Sequence, residues 1–463
     1  MSGLNPDLFH SVGLGLFGVA IVHTFFTKFF ENLGHIELEH YHFQSRSVAN
    51  DFLSEAGKLD LFLARHEALA RFIFRHRGAL RLIGEPEMVF PFWAINLCIY
   101  MFLALGQEQM VHYVETLNLS EPMFVAVIMM ISASRPVRQF AENGMKCLAW
   151  HCPGSNKITL LFVLLFVGPL LGSLITEPAA MTITALLLGK FYYQQISHRK
   201  RYRRMRYSIL AVLLVNVSIG GVLTHYAAPP VVMVANTWNW DMSFMFFNFG
   251  WKAVLAVLIN TVLVIGFNWK QLQQLDEPSD EAFVAKVPGL VVGFHLVLLG
   301  GVVYFSHHPK VFLMIFAIYF FNALAYEQYQ DEKLFFRQSI MVGLFLAGLV
   351  TIGSCQKWWL QPLITGLDSV SLFAGTVGLT AITDNAALTY LGSIVDGLTD
   401  QSKYMLVAGA VTGGGLTIIA NAPNPVGINI LKDYFGSDAV SFKSLFLYAT
   451  APTAIAALAF LVL

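Results

Sequence analysis

Two acidic residues stand in matching local frames in distant parts of the chain. Glu177 lies in Thr176-Glu177-Pro178-Ala179-Ala180-Met181-Thr182, and Asp384 in Thr383-Asp384-Asn385-Ala386-Ala387-Leu388-Thr389. The shared pattern, T-[DE]-x-A-A-[ML]-T, interrupts an otherwise apolar stretch each time. A carboxylate in apolar surroundings is expensive, because loss of water disfavours its charged form. It repels anions and can be neutralised by a metal cation or by a proton. Alternate neutralisation by Na⁺ and H⁺ is the simplest way to exchange one for the other. A plainer role is also open to each acid. Negative charge is favoured at a helix N-terminus, and Pro178 fits the first turn of a helix that Glu177 would cap. Capping and ion binding are compatible.

A second pair of motifs follows the first. Gly220-Gly221-Val222-Leu223-Thr224 precedes His225 and Pro229-Pro230, while Gly414-Gly415-Leu416-Thr417 precedes Asn421 and Pro423-Asn424-Pro425. Proline removes a backbone donor and clashes with the preceding turn, so each apolar helix must break there. The breaks offer unwound carbonyls, with Thr224 and His225 in the first half and Asn421 and Asn424 in the second. The candidate ion-binding residues are Thr176, Glu177, Thr182, Thr224, Thr383, Asp384, Asn385, Thr389, Thr417, Asn421 and Asn424. Among them Asp384, Asn385, Asn421 and Asn424 are the expected sodium ligands, since a hard cation takes oxygen donors.

The elements that must position these residues are membrane spans. Of 463 residues, 56% are hydrophobic and only 13% charged, against roughly 25% charged in a soluble protein. The apolar residues fall into runs long enough to cross a bilayer core of about 30 Å as helices. Ten spans are expected, at 11–30, 88–106, 121–137, 207–238, 243–267, 287–305, 310–326, 337–355, 403–432 and 443–463. Two further stretches, 160–193 and 368–398, carry the acidic motifs at their interruptions and read as re-entrant hairpins. Irregular backbone at membrane depth requires such a protein-lined or wet setting.

The fold class expected is therefore an all-α polytopic membrane protein of two repeats. Residues 1–30 hold the first helix and 31–87 a cytoplasmic polar segment. Residues 88–267 complete repeat 1, with hairpin 160–193 and broken helix 207–238. A cytoplasmic linker, 268–286, leads to repeat 2 at 287–463, with hairpin 368–398 and broken helix 403–432. An odd number of crossings per half requires the halves to be inverted. Paired, Pro/Gly-interrupted segments in two inverted halves point to a transporter's binding site. Only Lys252, Lys310, Lys357 and Lys403 fall on the side of the N-terminus; the other 25 of 29 basic residues fall opposite. By the positive-inside rule the basic side is cytoplasmic and both termini face outward.

TDNAALT and LTIIANAPNPVGINI resemble the ion transporter superfamily, and within it the bacterial family described as putative Na⁺/H⁺ antiporters, akin to D-type antiporters. The resemblance covers about 85–463. It implies two inverted repeats, hairpins inserted from opposite sides, a homodimer with a scaffold domain, elevator-like alternating access, and an inner-membrane location. In the superfamily's dicarboxylate branch the hairpin tips are neutral, resembling Ser-Asn-Thr. Glu177 and Asp384 depart from that pattern and favour a cation. An anion permease or sodium-coupled organic-anion symporter is the alternative within transport.

Other features argue less. His35, His40 and His42 form a cluster that an intramembrane metal-dependent enzyme could use, although such enzymes need several of these boxes. A solvated polar face or a pH-sensing site fits it as well. The stretch at 65–84 reads as an interfacial amphipathic helix. His23 and Lys28 read as snorkelling residues at a span end. The basic loop 198–206 reads as an anchor beside anionic lipid rather than a nucleic-acid site. No phosphate-binding loop is present, so Na⁺ and H⁺ gradients, not ATP, are the expected drive, with no cofactor. Gly413-Gly414-Gly415 reads as close helix packing. Cys98, Cys147, Cys152 and Cys355 read as thiols. The N-terminus lacks the basic region of a signal peptide, so the first helix is expected to be retained.

Overall fold

The computed structural model describes residues 6–34, 72–151, 154–197, 199–277, 287–329, 334–436 and 440–463. Every regular element among them is helical. Seven stretches are long and apolar enough to cross a membrane: Leu8–Leu33, Pro86–Leu105, Asn156–Ile175, Lys200–Leu223, Met242–Phe267, Phe336–Thr365 and Phe442–Val462. The protein is a multi-pass membrane protein. The expected spans at 287–305 and 310–326 are the helices Gly289–Tyr304 and Pro309–Ala325, of 16 and 17 residues. At 1.5 Å per residue they reach only about 24–26 Å, short of the bilayer core.

Residues 1–116 form one compact unit and 117–463 another. Both hairpins and both broken helices lie inside the second unit. In the first unit, Pro6–Gly34 packs beside Arg77–Ile83. Gly84 closes that contact, since a Cβ there would lie 2.5 Å from the Glu31 backbone nitrogen. His23 does not snorkel. It is buried, its Nε2 donates to the Ile83 carbonyl (3.0 Å), and its Nδ1 accepts from Trp93 Nε1 (3.1 Å). Those two partners fix the neutral tautomer. The stretch expected as one amphipathic helix at 65–84 is described only from Phe72, and it turns at His76 before Arg77–Ile83. The His35–His42 cluster lies outside the described residues.

In the second unit, the span expected at 121–137 ends at Ser132, and a separate helix, Arg135–His151, begins. Pro136 sits in that helix's first turn, where its missing N–H costs nothing. One face buries Val137, Ala141, Met145 and Ala149, and Phe140 and Leu148 are exposed.

Asn156–Ile175 and Glu177–Leu188 are the arms of the first hairpin, joined at Thr176. Gly168 lies against Thr184 and Gly172 against Ala180, so the arms run antiparallel. The helix Arg203–Gly220 then runs parallel to the first arm. Asn216 Nδ2 donates to the Leu165 carbonyl (2.9 Å) and Ser173 Oγ to the Gly220 carbonyl (2.7 Å). Every residue from Met205 to Gly220 is buried, as an apolar helix at the centre of a bundle should be. The helix breaks after Leu223 and resumes as Pro229–Trp238.

The second half has a related order of elements, but its two arms touch each other far less than those of the first. Ser369–Thr380 and Asn385–Ser393 are the arms, and Asp400–Gly413 runs parallel to the first arm. Gly409 abuts the Phe373 carbonyl and Gly413 the Val377 carbonyl, each 2.7 Å from where a Cβ would stand. The helix breaks at Gly414 and resumes as Asn424–Leu431. The two broken helices cross where Ser218 Oγ donates to the Val411 carbonyl (2.7 Å), with Gly414 against Ser218 and Gly415 against Val215. Numbering rises in one helix as it falls in the other, so they meet antiparallel. The triple glycine is the close packing expected of it.

Candidate functional site

The first hairpin tip is held by Thr176, whose φ of 91° is rare for a β-branched residue. Its hydroxyl meets that of Ser132 at 3.0 Å. Such backbone costs of order 1–3 kcal/mol and persists where the surroundings enforce it. The strained turn sets Glu177 at the head of the second arm, yet Glu177 does not cap that arm. Its side chain is fully buried (0% exposed) and packs on Gly221. Oε2 accepts a hydrogen bond from Asn421 Nδ2 at 2.8 Å, across the two halves. Oε1 accepts none.

Asp384 behaves differently. With φ −88° and ψ 141° it is the N-cap of the second hairpin's return arm, and its Oδ1 accepts from the backbone N–H groups of Ala386 (2.8 Å) and Ala387 (3.3 Å). It is only partly buried. It lies near enough to Glu177 to act on it through space. The next residue, Asn385, donates its backbone N–H to the Ala420 carbonyl (3.1 Å), and its side chain abuts Gly414.

The second break supplies the remaining groups. Asn424 Nδ2 donates to the carbonyls of Gly414 and Thr417, both at 2.7 Å, and the Asn424 backbone N–H donates to the Asn421 carbonyl. Four buried oxygens in this cluster have no donor, Glu177 Oε1, Asn385 Oδ1, Asn421 Oδ1 and Asn424 Oδ1, and one buried amide nitrogen, Asn385 Nδ2, has no acceptor. Buried polar atoms are normally paired. Four acceptors left over on mutually linked residues are the donor set a hard cation needs.

The threonine hydroxyls donate to carbonyls. Thr182, Thr383 and Thr389 donate to carbonyls of their own turns, those of Pro178, Leu379 and Ala386. Thr224 donates to the Ser173 carbonyl (2.7 Å) and Thr417 to that of Ala381 (2.8 Å), so both tie a break to a hairpin. Their hydroxyl protons are engaged, which leaves only lone pairs for an ion. Ser132, Ser173 and Ser218 escaped the sequence reading. Ser218 carried a usable signal, being polar within the apolar run before Gly220. Cys98, Cys147 and Cys355 are free thiols. Among the described residues no three His, Cys, Asp or Glu side chains are grouped to hold a metal.

The profile of a family described as "Putative Na+/H+ antiporter" matches residues 8–463. The chain belongs to that antiporter family. The match extends through both hairpins and both breaks and includes the first helix. Membership in a Na⁺/H⁺ antiporter family points to secondary transport and away from enzymatic catalysis. A search of curated proteins finds no match.

Proposed function

We propose that the protein exchanges Na⁺ for H⁺ across the membrane, with Glu177 as the group the two ions neutralise in turn. One observation carries this reading: the Glu177 carboxylate is fully buried, with one oxygen on Asn421 and the other on nothing. A buried carboxylate so placed needs a cation or a proton. Asn385, Asn421 and Asn424 would supply neutral oxygens to Na⁺, and Asp384 a second negative charge beside the site. An anionic substrate would meet two carboxylates and, among the described residues, no basic side chain bonded at the tips, so the anion-permease reading is disfavoured.

The wider scheme belongs to the same proposal. The parallel arm-and-break relation within each half, and the antiparallel crossing between halves, support two inverted repeats with re-entrant hairpins. The excess of basic residues on one side supports an inner-membrane orientation with both termini outside. A homodimer and elevator-like movement follow from the family resemblance. The test is direct. Purified protein in proteoliposomes should collapse an imposed pH gradient when Na⁺ is added, and Glu177→Gln should not. Full exchange by a folded Glu177→Gln protein would remove Glu177 from the mechanism.

A further inference from the structure

A second polar site lies beside the first helix break. A small crevice is lined by Ser120, Glu121, His225, Tyr226, Asn236 and Ser306, with apolar residues between them. Glu121 is buried, and its Oε1 accepts from Asn118 Nδ2 (3.0 Å) and Asn236 Nδ2 (3.1 Å). His225 stands in the break itself, and its Nδ1 is buried without a hydrogen-bond partner. Its ring lies parallel to that of His307 at 6.1 Å. The titratable groups facing it are Glu121 from Ser120–Ser132, His307 from the turn before Pro309, Asp241 from the turn before Met242, and its neighbour Tyr226. Asp241 offers counter-charge to an imidazolium and His307 opposes it.

The break leads from this crevice to the buried carboxylate. Gly221 packs on Glu177, and His225 follows four residues later. Four residues of chain span at most about 14 Å. Polar groups line the interval. Thr224 Oγ1 donates to the Ser173 carbonyl, and Ser173 Oγ donates to the Gly220 carbonyl. Glu177 is shut off from solvent and must still gain and lose protons if it exchanges them.

We propose that this crevice is the proton port of Glu177, with His225 as the relay. The inference rests on the exchange reading above. Imidazole suits the task because its ordinary titration lies near neutrality and its two nitrogens face different ways. One nitrogen takes a proton from water in the crevice, and the other releases its own towards Glu177. A ring flip or tautomer exchange restores the start, so one proton passes and nothing else is consumed.

The test compares wild type, His225→Gln and His225→Ala in proteoliposomes, reading Na⁺-driven pH change. Wild-type exchange must be present; its absence would sink the exchange reading and this one with it. His225→Gln should slow exchange at least about tenfold, since proton relays of this kind contribute about 10²–10⁴, with the half-saturating Na⁺ concentration unchanged. Imidazole added to His225→Ala should restore the rate, which a merely structural role would not predict. Wild-type exchange in His225→Gln overturns the proposal while leaving Na⁺/H⁺ exchange at Glu177 intact. If His225→Gln fails to fold, folded His225→Ala decides: rescue by imidazole supports the relay, and none overturns it.

Discussion

The two hairpin tips share a sequence frame and have opposite structures. Asp384 sits in relaxed N-cap geometry and uses its carboxylate to close the helix it begins. Glu177 follows a strained threonine, closes nothing, and reaches Asn421 in the other half. The extra methylene of glutamate lets the carboxylate reach past its own helix end, and Pro178 removes one of the N–H groups that could have held it there. One tip is thus satisfied locally, and the other is satisfied only by what binds to it. The lesson is that pseudo-symmetric motifs can divide labour, one acid shaping the site and one carrying the charge that changes.

The largest effect should come from removing the second kind of acid. Glu177→Gln should cut Na⁺-driven pH dissipation at least about a hundredfold, roughly 2.7 kcal/mol, while its melting temperature holds because the amide has nearly the shape of the protonated acid. A lowered melting temperature with retained exchange would reverse the roles assigned to the two tips. Next is Asn421→Ala, which leaves Glu177 Oε2 without its donor. A buried group so stripped loses about 1–3 kcal/mol, and the half-saturating Na⁺ concentration in the same assay should rise about tenfold or more.

Asp384 separates its two roles through two substitutions. Asn caps as well as Asp, whereas Ala costs about 0.5–2 kcal/mol. Asp384→Asn should therefore keep the melting temperature and lower exchange severalfold, and Asp384→Ala should lose both. Equal melting temperatures for the two variants would show that the cap is not what Asp384 contributes. The smallest effect is expected at Thr176→Gly. It relieves a positive φ worth about 1–3 kcal/mol but gives up the Ser132 contact and adds freedom to the unfolded chain. Thermal unfolding should shift by only a few degrees upward, with slower exchange if strain holds Glu177 in place.

Much of this was legible in the sequence because its signals are local. Proline pairs, glycine pairs and acids inside apolar runs mark breaks and tips without reference to the rest of the chain. Pro136 also marked the helix start at Arg135, although the apolar run hid it. What distant residues decide was not legible. Which acid caps depends on Asn421 approaching from the other half, and His23 is buried because Ile83 and Trp93 reach it from far along the chain. Ser218 gains its role from Val411 and Gly414, on a helix arriving from the opposite direction. Thr182, Thr383 and Thr389 turn to carbonyls of their own turns, whereas Thr224 and Thr417 reach distant carbonyls that local sequence does not reveal.

The glycine crossing has a mechanical consequence. At Gly413, Gly414 and Gly415 there is no clearance for even one methyl group, and the surfaces that touch there belong to both halves. Rods that interlock without slack at their waists cannot shear past one another. Any stroke that turns Glu177 from one bath to the other must carry this waist as a single rigid piece, with the yielding joints elsewhere in the protein.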